Sequence, residues 1–355
     1  MFLNRKNQPL IGLDISSTSV KVIELSKTGP RYQIEGIGIE PLLDNAVVEK
    51  KIIEIEAVGE SIKRALHNAK IKNRNVAIAV AGSSVITKII TMPVSLSEEE
   101  MEGQIQLEAD QYIPYPLEEV ALDFQVMGKT KQNPKTVDVL LAACRQENVD
   151  DRMAAVELAG LLPKIVDIEA YTIESIFSSL AFQLPDGYNK KTIAIADIGA
   201  TMTSLSVIQN HKLIYTREQN FGGKQLTEEI MQHYGLSLDE AELAKRQGGL
   251  PENYTPELLN PFKETTIQQI SRFLQFFYSS GEGNDAIDYL ILGGGNACLP
   301  NLVELAELQI GVPTSIAKPF INMSASKKVN KATFEADSPS FLIAAGLAIR
   351  GTKYQ

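Results

Sequence analysis

The chain has 355 residues, 44% of them apolar and 22% charged, and a net charge of -10. That length exceeds one ordinary domain and fits two large lobes, each with its own core. The acidic balance argues against nucleic acid and anionic lipid as direct partners. Cys144, Cys298 and three scattered histidines (His67, His211, His233) show neither metal-ligand spacing nor a disulfide framework.

The first residues, Met1-Phe2-Leu3-Asn4-Arg5-Lys6, lack the apolar run of a signal peptide. No stretch approaches the roughly 20 apolar residues of a membrane span; the best, 341–349, is too short and ends at Arg350. Membrane attachment is therefore expected to go through a partner. Residues 10–25, LIGLDISSTSVKVIEL, read as a β-hairpin: an apolar strand ending in Asp-Ile, small hydroxylated residues, then a β-branched strand. An amphipathic helix follows at 58–69 and a short apolar strand at 76–81. Ser97 opens an acidic helix that runs to about Gln111 and is stopped by the prolines of YIPYP, 112–116. Strands at 120–127 and 137–144 flank a polar loop at 129–135, and a helix follows at 148–160. Residues 87–163 thus form a compact α+β insert within the first lobe.

Residues 192–208, TIAIADIGATMTSLSVI, echo the first hairpin and place Asp197 where Asp14 stands. One such hairpin opens each half, which argues for two related lobes rather than a solenoid. A helix is expected at 223–234 and a small subdomain at about 235–280. Within that subdomain Ile267, Ile270, Phe273, Leu274 and Phe277 recur at helical spacing and read as core. Residues 289–295, YLILGGG, are a buried strand running into a glycine turn. Ser338-Pro339-Ser340 starts a final helix.

The chemistry sits in the turns. A tight turn of small residues exposes backbone N–H groups to phosphate oxygens, and hydroxyls add donors. Candidate phosphate contacts are Ser16, Ser17, Thr18, Ser19 and Lys21 in the first hairpin, and Gly199, Ala200, Thr201 and Thr203 in the second. Asp14 and Asp197 are candidates to hold the waters of a Mg²⁺, which keeps several of them. Gly293, Gly294, Gly295 and Asn296 allow a flat ring or a phosphate to lie against backbone. Gly222, Gly223, Lys224, Thr227 and Glu228 form a second glycine entry into a helix. A P-loop, a dinucleotide fingerprint and a nucleophile elbow are all missing from the sequence.

Residues 14–21, DISSTSVK, resemble the first phosphate motif of the actin, Hsp70 and sugar-kinase superfamily; 197–203, DIGATMT, resemble the second, and 290–295, LILGGG, its adenosine motif. Residues 222–228 are similar to the superfamily's adenine-side helix. A helix at 168–181 falls where its first connecting helix lies, which makes Glu169 the candidate catalytic side chain. Within the superfamily the chain resembles the PilM family of type IV pilus assembly proteins along essentially its whole length. The insert carries TMP (91–93), QLEA (106–109), YIPYP (112–116) and DF (123–124), similar to the extra subdomain of PilM and of the cell-division protein FtsA; DSP (337–339) and GLAIR (346–350) match the family's ending. The first turn departs from the pattern: Ser16 and Ser17 stand where many members carry glycine.

The resemblance implies a two-lobed actin-like α/β fold with an inserted α+β subdomain in the first lobe. The first lobe core is 8–86, continued by 164–190 and 337–355; the insert is 87–163, and the second lobe 191–336. It implies ATP or ADP with Mg²⁺ in the cleft. It also implies a groove beside the insert for the N-terminal cytoplasmic tail of a PilN-like inner-membrane protein, with other pilus assembly proteins as further partners. Residues 76–80 and the insert's strands are candidate walls. The expected location is cytoplasmic, peripheral to the inner membrane through that partner. FtsA ends in an amphipathic membrane helix; residues 351–355, GTKYQ, hold no such pattern. Two function classes stay open. One is a nucleotide-binding scaffold, at most a weak ATPase. The other is an active ATPase or sugar-kinase-type phosphotransferase, which would need a general base facing a substrate pocket.

Overall fold

The computed structural model describes residues 10–29, 31–130, 133–185, 191–281, 286–330 and 334–353. The expectations for 1–6, for Lys131 and Gln132 of the polar loop, and for Tyr354 and Gln355 lie outside the described residues.

The first half opens as an antiparallel meander, β1 (Ile11–Ile15), β2 (Ser19–Thr28) and β3 (Arg31–Pro41). A two-residue-per-strand hairpin follows, β4 (Val47–Val48) with β5 (Lys51–Ile52). Next come α1 (Ile55–Asn68) and β6 (Asn75–Val80). Helix α1 forms because Val58, Ile62, Ala65 and Leu66 make one apolar stripe, and it lays that stripe on the sheet. Then come β7 (Val85–Pro93), α2 (Glu98–Glu108), β8 (Val120–Lys129), β9 (Thr136–Arg145) and α3 (Gln146–Leu158), whose Ala155 and Val156 pack in the first lobe's core beside α1. Ser97 caps α2 in a reciprocal capping box with Glu100. The chain returns through β10 (Leu162–Ile168) into α4 (Glu169–Leu180).

The second half repeats the plan. A meander of β11 (Thr192–Ile198), β12 (Thr203–Gln209) and β13 (Lys212–Gln219) leads to α5 (Gly223–Tyr234), α6 (Leu238–Gln247) and α7 (Asn260–Ser279). Then come β14 (Tyr289–Gly293), α8 (Leu302–Ile310), β15 (Thr314–Ile316), β16 (Ser324–Ala325) and α9 (Leu342–Lys353). The sheets run β10-β6-β1-β2-β3-β16 and β15-β14-β11-β12-β13. In both, the opening strand lies between its antiparallel hairpin partner and a later parallel strand. The sequence echo is thus the visible part of a duplicated sheet, and the fold is the two-lobed actin-like α/β architecture.

Helices α4 and α9 lie between the two sheets, in one core that joins Ile23 and Leu25 to Ile176, Ile195, Ile291, Phe341 and Leu347. Gly346 brings α9 against α4: a Cβ there would collide with the Thr172 carbonyl. The insert has its own core of Met92, Met101, Ile105, Val139 and Leu141 under the three-stranded sheet β7-β9-β8.

The sheet order narrows one expectation. Of residues 76–80, β10 pairs the whole run on one side and β1 pairs Val76 and Ala77 on the other. β6 therefore offers no free edge for strand addition, whatever its side chains line. Among the described residues the free edge on that side belongs to β10. Sequence pattern also gave no sign of β3, β7, β10, β13 or the small β4–β5 hairpin. Helix α7 begins at Asn260, earlier than its apolar stripe suggested, after a π-helical turn at Thr255–Leu259.

Candidate functional site

The two hairpins end in the same turn. Ser16 N–H donates to the Ser19 carbonyl at 3.0 Å, and Gly199 N–H to the Met202 carbonyl at 2.9 Å. Each closes a four-residue turn whose central N–H groups, those of Ser17 and Thr18 and of Ala200 and Thr201, have no acceptor among the described residues. Successive turn amides left without an acceptor are groups that a phosphate oxygen can bond. The turns face each other, and the Ser17 and Thr201 hydroxyls are hydrogen-bonded at 2.7 Å across 184 residues of sequence.

Behind the first turn, Asp14 is buried and accepts from Ser16 Oγ at 2.7 Å and from Lys21 Nζ at 3.1 Å; Lys21 also donates to Ser16 Oγ at 2.7 Å. Register explains the contact, since Lys21 stands directly across the hairpin from Asp14. Burial pushes the Asp14 carboxyl up, but Lys21, Lys50 and the Ser16 hydroxyl outweigh it and hold it below the usual range. Asp197 is in the matching place with Ser204 opposite it. There burial and the neighbouring Asp14 outweigh Lys50 and Lys21, and the carboxyl is pushed up to about 6.

The remaining glycine motifs brace the second turn. Gly294 has φ +87°, and a Cβ on it would strike the Ile198 carbonyl and the Asp197 carboxylate. The first N–H groups of α5 reach the same loop, Gly223 to the Gly199 carbonyl at 3.0 Å and Lys224 to the Ala200 carbonyl at 2.7 Å. Asn296 Nδ2 donates to the Gly199 carbonyl at 2.9 Å. So 199–202, 222–224 and 293–296 form one cluster. Lys224 also crosses the cleft to Asp44 at 3.1 Å. Thr203 and Thr227 are buried, their hydroxyls bonded to the carbonyls of Phe221 and Gly223; Thr18 and Glu228 are exposed.

Glu169 is buried as the first residue of α4 and accepts from Lys50 Nζ at 3.1 and 2.8 Å. Burial alone would lower the Lys50 ammonium's pKa, but Glu169 and Asp14 raise it well above its usual value. Sequence reasoning missed Lys50, and also Arg152, whose guanidinium donates to the Lys50 carbonyl at 2.7 Å. It missed Glu242 and Lys245 as well: Lys245 Nζ reaches Thr227 Oγ1 at 2.6 Å, Glu242 Oε1 at 2.8 Å and the Gly223 carbonyl at 3.3 Å. Each missed residue lies on a helix or turn whose local pattern is that of a solvated surface, so only three-dimensional neighbours mark it.

Among the described residues no group of three or more His, Cys, Asp or Glu side chains converges as a protein-only metal cage. Two carboxylates behind facing amide turns suit a cation that keeps its waters and shares phosphate oxygens. The donor set therefore fits a Mg-polyphosphate, and its entry between the turns would displace the Ser17–Thr201 bond.

A family model described as type IV pilus assembly protein PilM matches residues 12–352. The cell division protein FtsA of Bacillus subtilis is 24% identical, over 88% of this chain and 79% of its own. FtsA of Enterococcus hirae is 24% identical, over 87% and 78%. Among solved structures, the PilM-PilN type IV pilus biogenesis complex superposes with a TM-score of 0.82 and 28% identity, covering 97% of this chain and 99% of that one. The ethanolamine utilization protein EutJ of Carboxydothermus hydrogenoformans has a TM-score of 0.58 and 12% identity, over 96% and 89%. MreB5 of Spiroplasma citri, solved bound to AMPPNP, has 0.51 and 15%, over 98% and 97%. These last two share the fold.

Proposed function

This chain belongs to the PilM family of type IV pilus assembly proteins, and from that membership we propose that it is a nucleotide-binding scaffold of the pilus assembly platform. On this reading it holds the N-terminal cytoplasmic tail of a PilN-like inner-membrane protein. The supporting observation is the likeness, along 97% of the chain, to a structure of the PilM-PilN complex. Among the described residues no helix is long and apolar enough to cross a membrane, so a tethered partner supplies the attachment to the inner membrane.

For the tail's seat we propose the groove between the insert, 87–163, and the free edge of β10. That edge carries unpaired backbone, and Leu162 and Val166 are exposed on it, on either side of a bulge between Pro163 and Ile165. An extended peptide can add there as a strand and place apolar anchors beside them. For the cleft we propose Mg-ATP or Mg-ADP. The turns at 16–19 and 199–202 would hold phosphates, and Asp14 and Asp197 the hydrated cation. The 222–228 and 293–296 segments would line the nucleoside side. The metal would neutralise phosphate charge when bound. We read the chain as a scaffold rather than a phosphotransferase because its motifs mark no general base facing a substrate pocket; in the ligand-free cleft Glu169 is paired with Lys50. Slow ATP hydrolysis is compatible with this reading.

The test is titration of the purified protein with a synthetic tail peptide by calorimetry. Binding is expected for the wild type and at least tenfold weaker binding for Val166→Glu, with Mg-ADP affinity unchanged. A wild type that ignores the peptide overturns the scaffold reading. Peptide binding unaffected by Val166→Glu overturns the proposed seat. Failure to bind Mg-ADP at millimolar concentration overturns the cleft assignment.

A further inference from the structure

The β4–β5 hairpin has an unusual tip. Its two turn residues, Glu49 and Lys50, have φ +47° and +67°. Such a turn is the natural place for Asn-Gly, because side chains with a Cβ are strained in the left-handed region. Here the strained residue aims its ammonium into the cleft. Lys50 Nζ lies on both oxygens of Glu169, and its side chain is only 15% exposed.

What holds the tip is Arg152, 3% exposed, on α3. Its guanidinium donates to three backbone carbonyls: Lys50 at 2.7 Å, Ala79 of β6 at 2.9 Å and Asn148 of its own helix at 3.1 Å. A planar fork with fixed donors suits this geometry; lysine could not span it. Helix α3 is continuous with β9, the central strand of the insert's sheet. One buried side chain therefore ties α3, which leads out of the insert's central strand, to the strand beside β10 and to the tip that carries Lys50.

The Lys50 ammonium is within electrostatic reach of Asp14 and Asp197 as well as Glu169. Lys21 is already bonded to Asp14 and Ser16 within its own hairpin, and Lys224 to Asp44. A terminal phosphate placed between the two turns adds negative charge near Lys50, whose flexible stem can carry the ammonium to it.

We propose that Arg152 and Lys50 form a relay between the nucleotide's terminal phosphate and the insert: Arg152 fixes the tip, and Lys50 moves from Glu169 to that phosphate. Arg152 is a positioning residue and Lys50 the group that touches the ligand. The relay rests on the nucleotide reading of the cleft. It distinguishes a triphosphate from a diphosphate, since only the former reaches Lys50. It also works in reverse: whatever shifts α3 changes the preference between the two, because coupling between sites is reciprocal.

The experiment measures calorimetric affinities of Mg-ADP and Mg-AMPPNP, with hydrogen exchange of α3 and the β4–β5 tip in each state. Lys50→Met should lose about tenfold or more for AMPPNP and less than about threefold for ADP. Arg152→Gln should show the same selectivity at about three- to tenfold, because the Lys50 ammonium is present but misplaced. Arg152→Lys is the second variant should the glutamine form fold poorly. Adding Glu49→Asn, a residue at ease in the left-handed region, should restore part of the AMPPNP affinity. AMPPNP but not ADP should change exchange in α3, and Lys50→Met should abolish that difference. Equal losses for both nucleotides, or none, overturn the relay and leave the cleft assignment standing. A wild type that binds neither nucleotide overturns both.

Discussion

The two hairpins share topology, turn and aspartate, yet their aspartates behave in opposite ways. Asp14 faces Lys21 across its hairpin and is held ionised; Asp197 faces Ser204 and is pushed up to about 6. The cross-strand residue, Lys21 against Ser204, is a main part of the difference; the Ser16 hydroxyl helps to hold Asp14 down, and Asp14 itself raises Asp197. The first hairpin carries its own counter-charge and is electrostatically complete. The second leaves a partly buried carboxylate whose neutralisation must come from a proton or from a cation arriving in the cleft.

The comparison breaks most sharply at Asp14. Asp14→Asn strands the Lys21 ammonium, whose side chain is 8% exposed, and should cost about 3 kcal/mol by denaturant unfolding at neutral pH. Because the Asp14 pKa is depressed, its stabilisation is present above the ordinary carboxylate range and disappears as pH falls through the folded value. The wild-type and variant curves should therefore converge in acid. Unchanged stability at pH 7 would mean that the pair contributes nothing.

Lys21→Ser gives the first hairpin the cross-strand pair of the second. Asp14 should then move from below to above the usual carboxylate range, with a loss of about 2 kcal/mol at neutral pH. A carboxyl NMR titration reads the change of sign directly.

Asp197→Asn should act in the reverse sense. The folded value of Asp197, about 6, lies above its ordinary 3.8. Its contribution is thus fully present below about pH 4 and lost as pH rises through about 6. The ligand-free asparagine variant should be more stable than wild type by about 1–2 kcal/mol above pH 7, less than the full linkage because the group is only partly buried. The gain should vanish below pH 4. A destabilised variant would show that Asp197 is as well paired as Asp14.

The smallest effect concerns the contact that joins the hairpins. Ser17→Ala removes one hydroxyl–hydroxyl bond and should cost about 0.5–1 kcal/mol. Because a phosphate must displace that bond, nucleotide affinity should not fall in step. Differential unfolding with and without Mg-ADP separates the two.

Much of this arrangement is legible in the sequence. The hairpins announce themselves through short apolar and β-branched strands, small-residue turns and an aspartate at the same place in each. The insert's paired strands and Ser97-capped helix are equally plain, because capping and alternation are local signals. The β4–β5 tip is not legible: its strands have two residues each, and Glu-Lys is a poor turn signal for a left-handed bend. Arg152 reads as an ordinary charged residue on a helix, and nothing local marks Leu162–Ile168 as a sheet edge.

By itself, then, the sequence determined the duplication, the two aspartates, the glycine turns that only a Cβ-free residue can make, and the family. Its local patterns encode strand, turn and cap. Tertiary structure alone decided that Lys50 meets Glu169 across 119 residues, that Arg152 holds that turn to the insert, and that β10 rather than β6 has the open edge. It also decided how the two aspartates titrate, since burial and through-space charge depend on which residues packing brings together, not on which are neighbours in the chain.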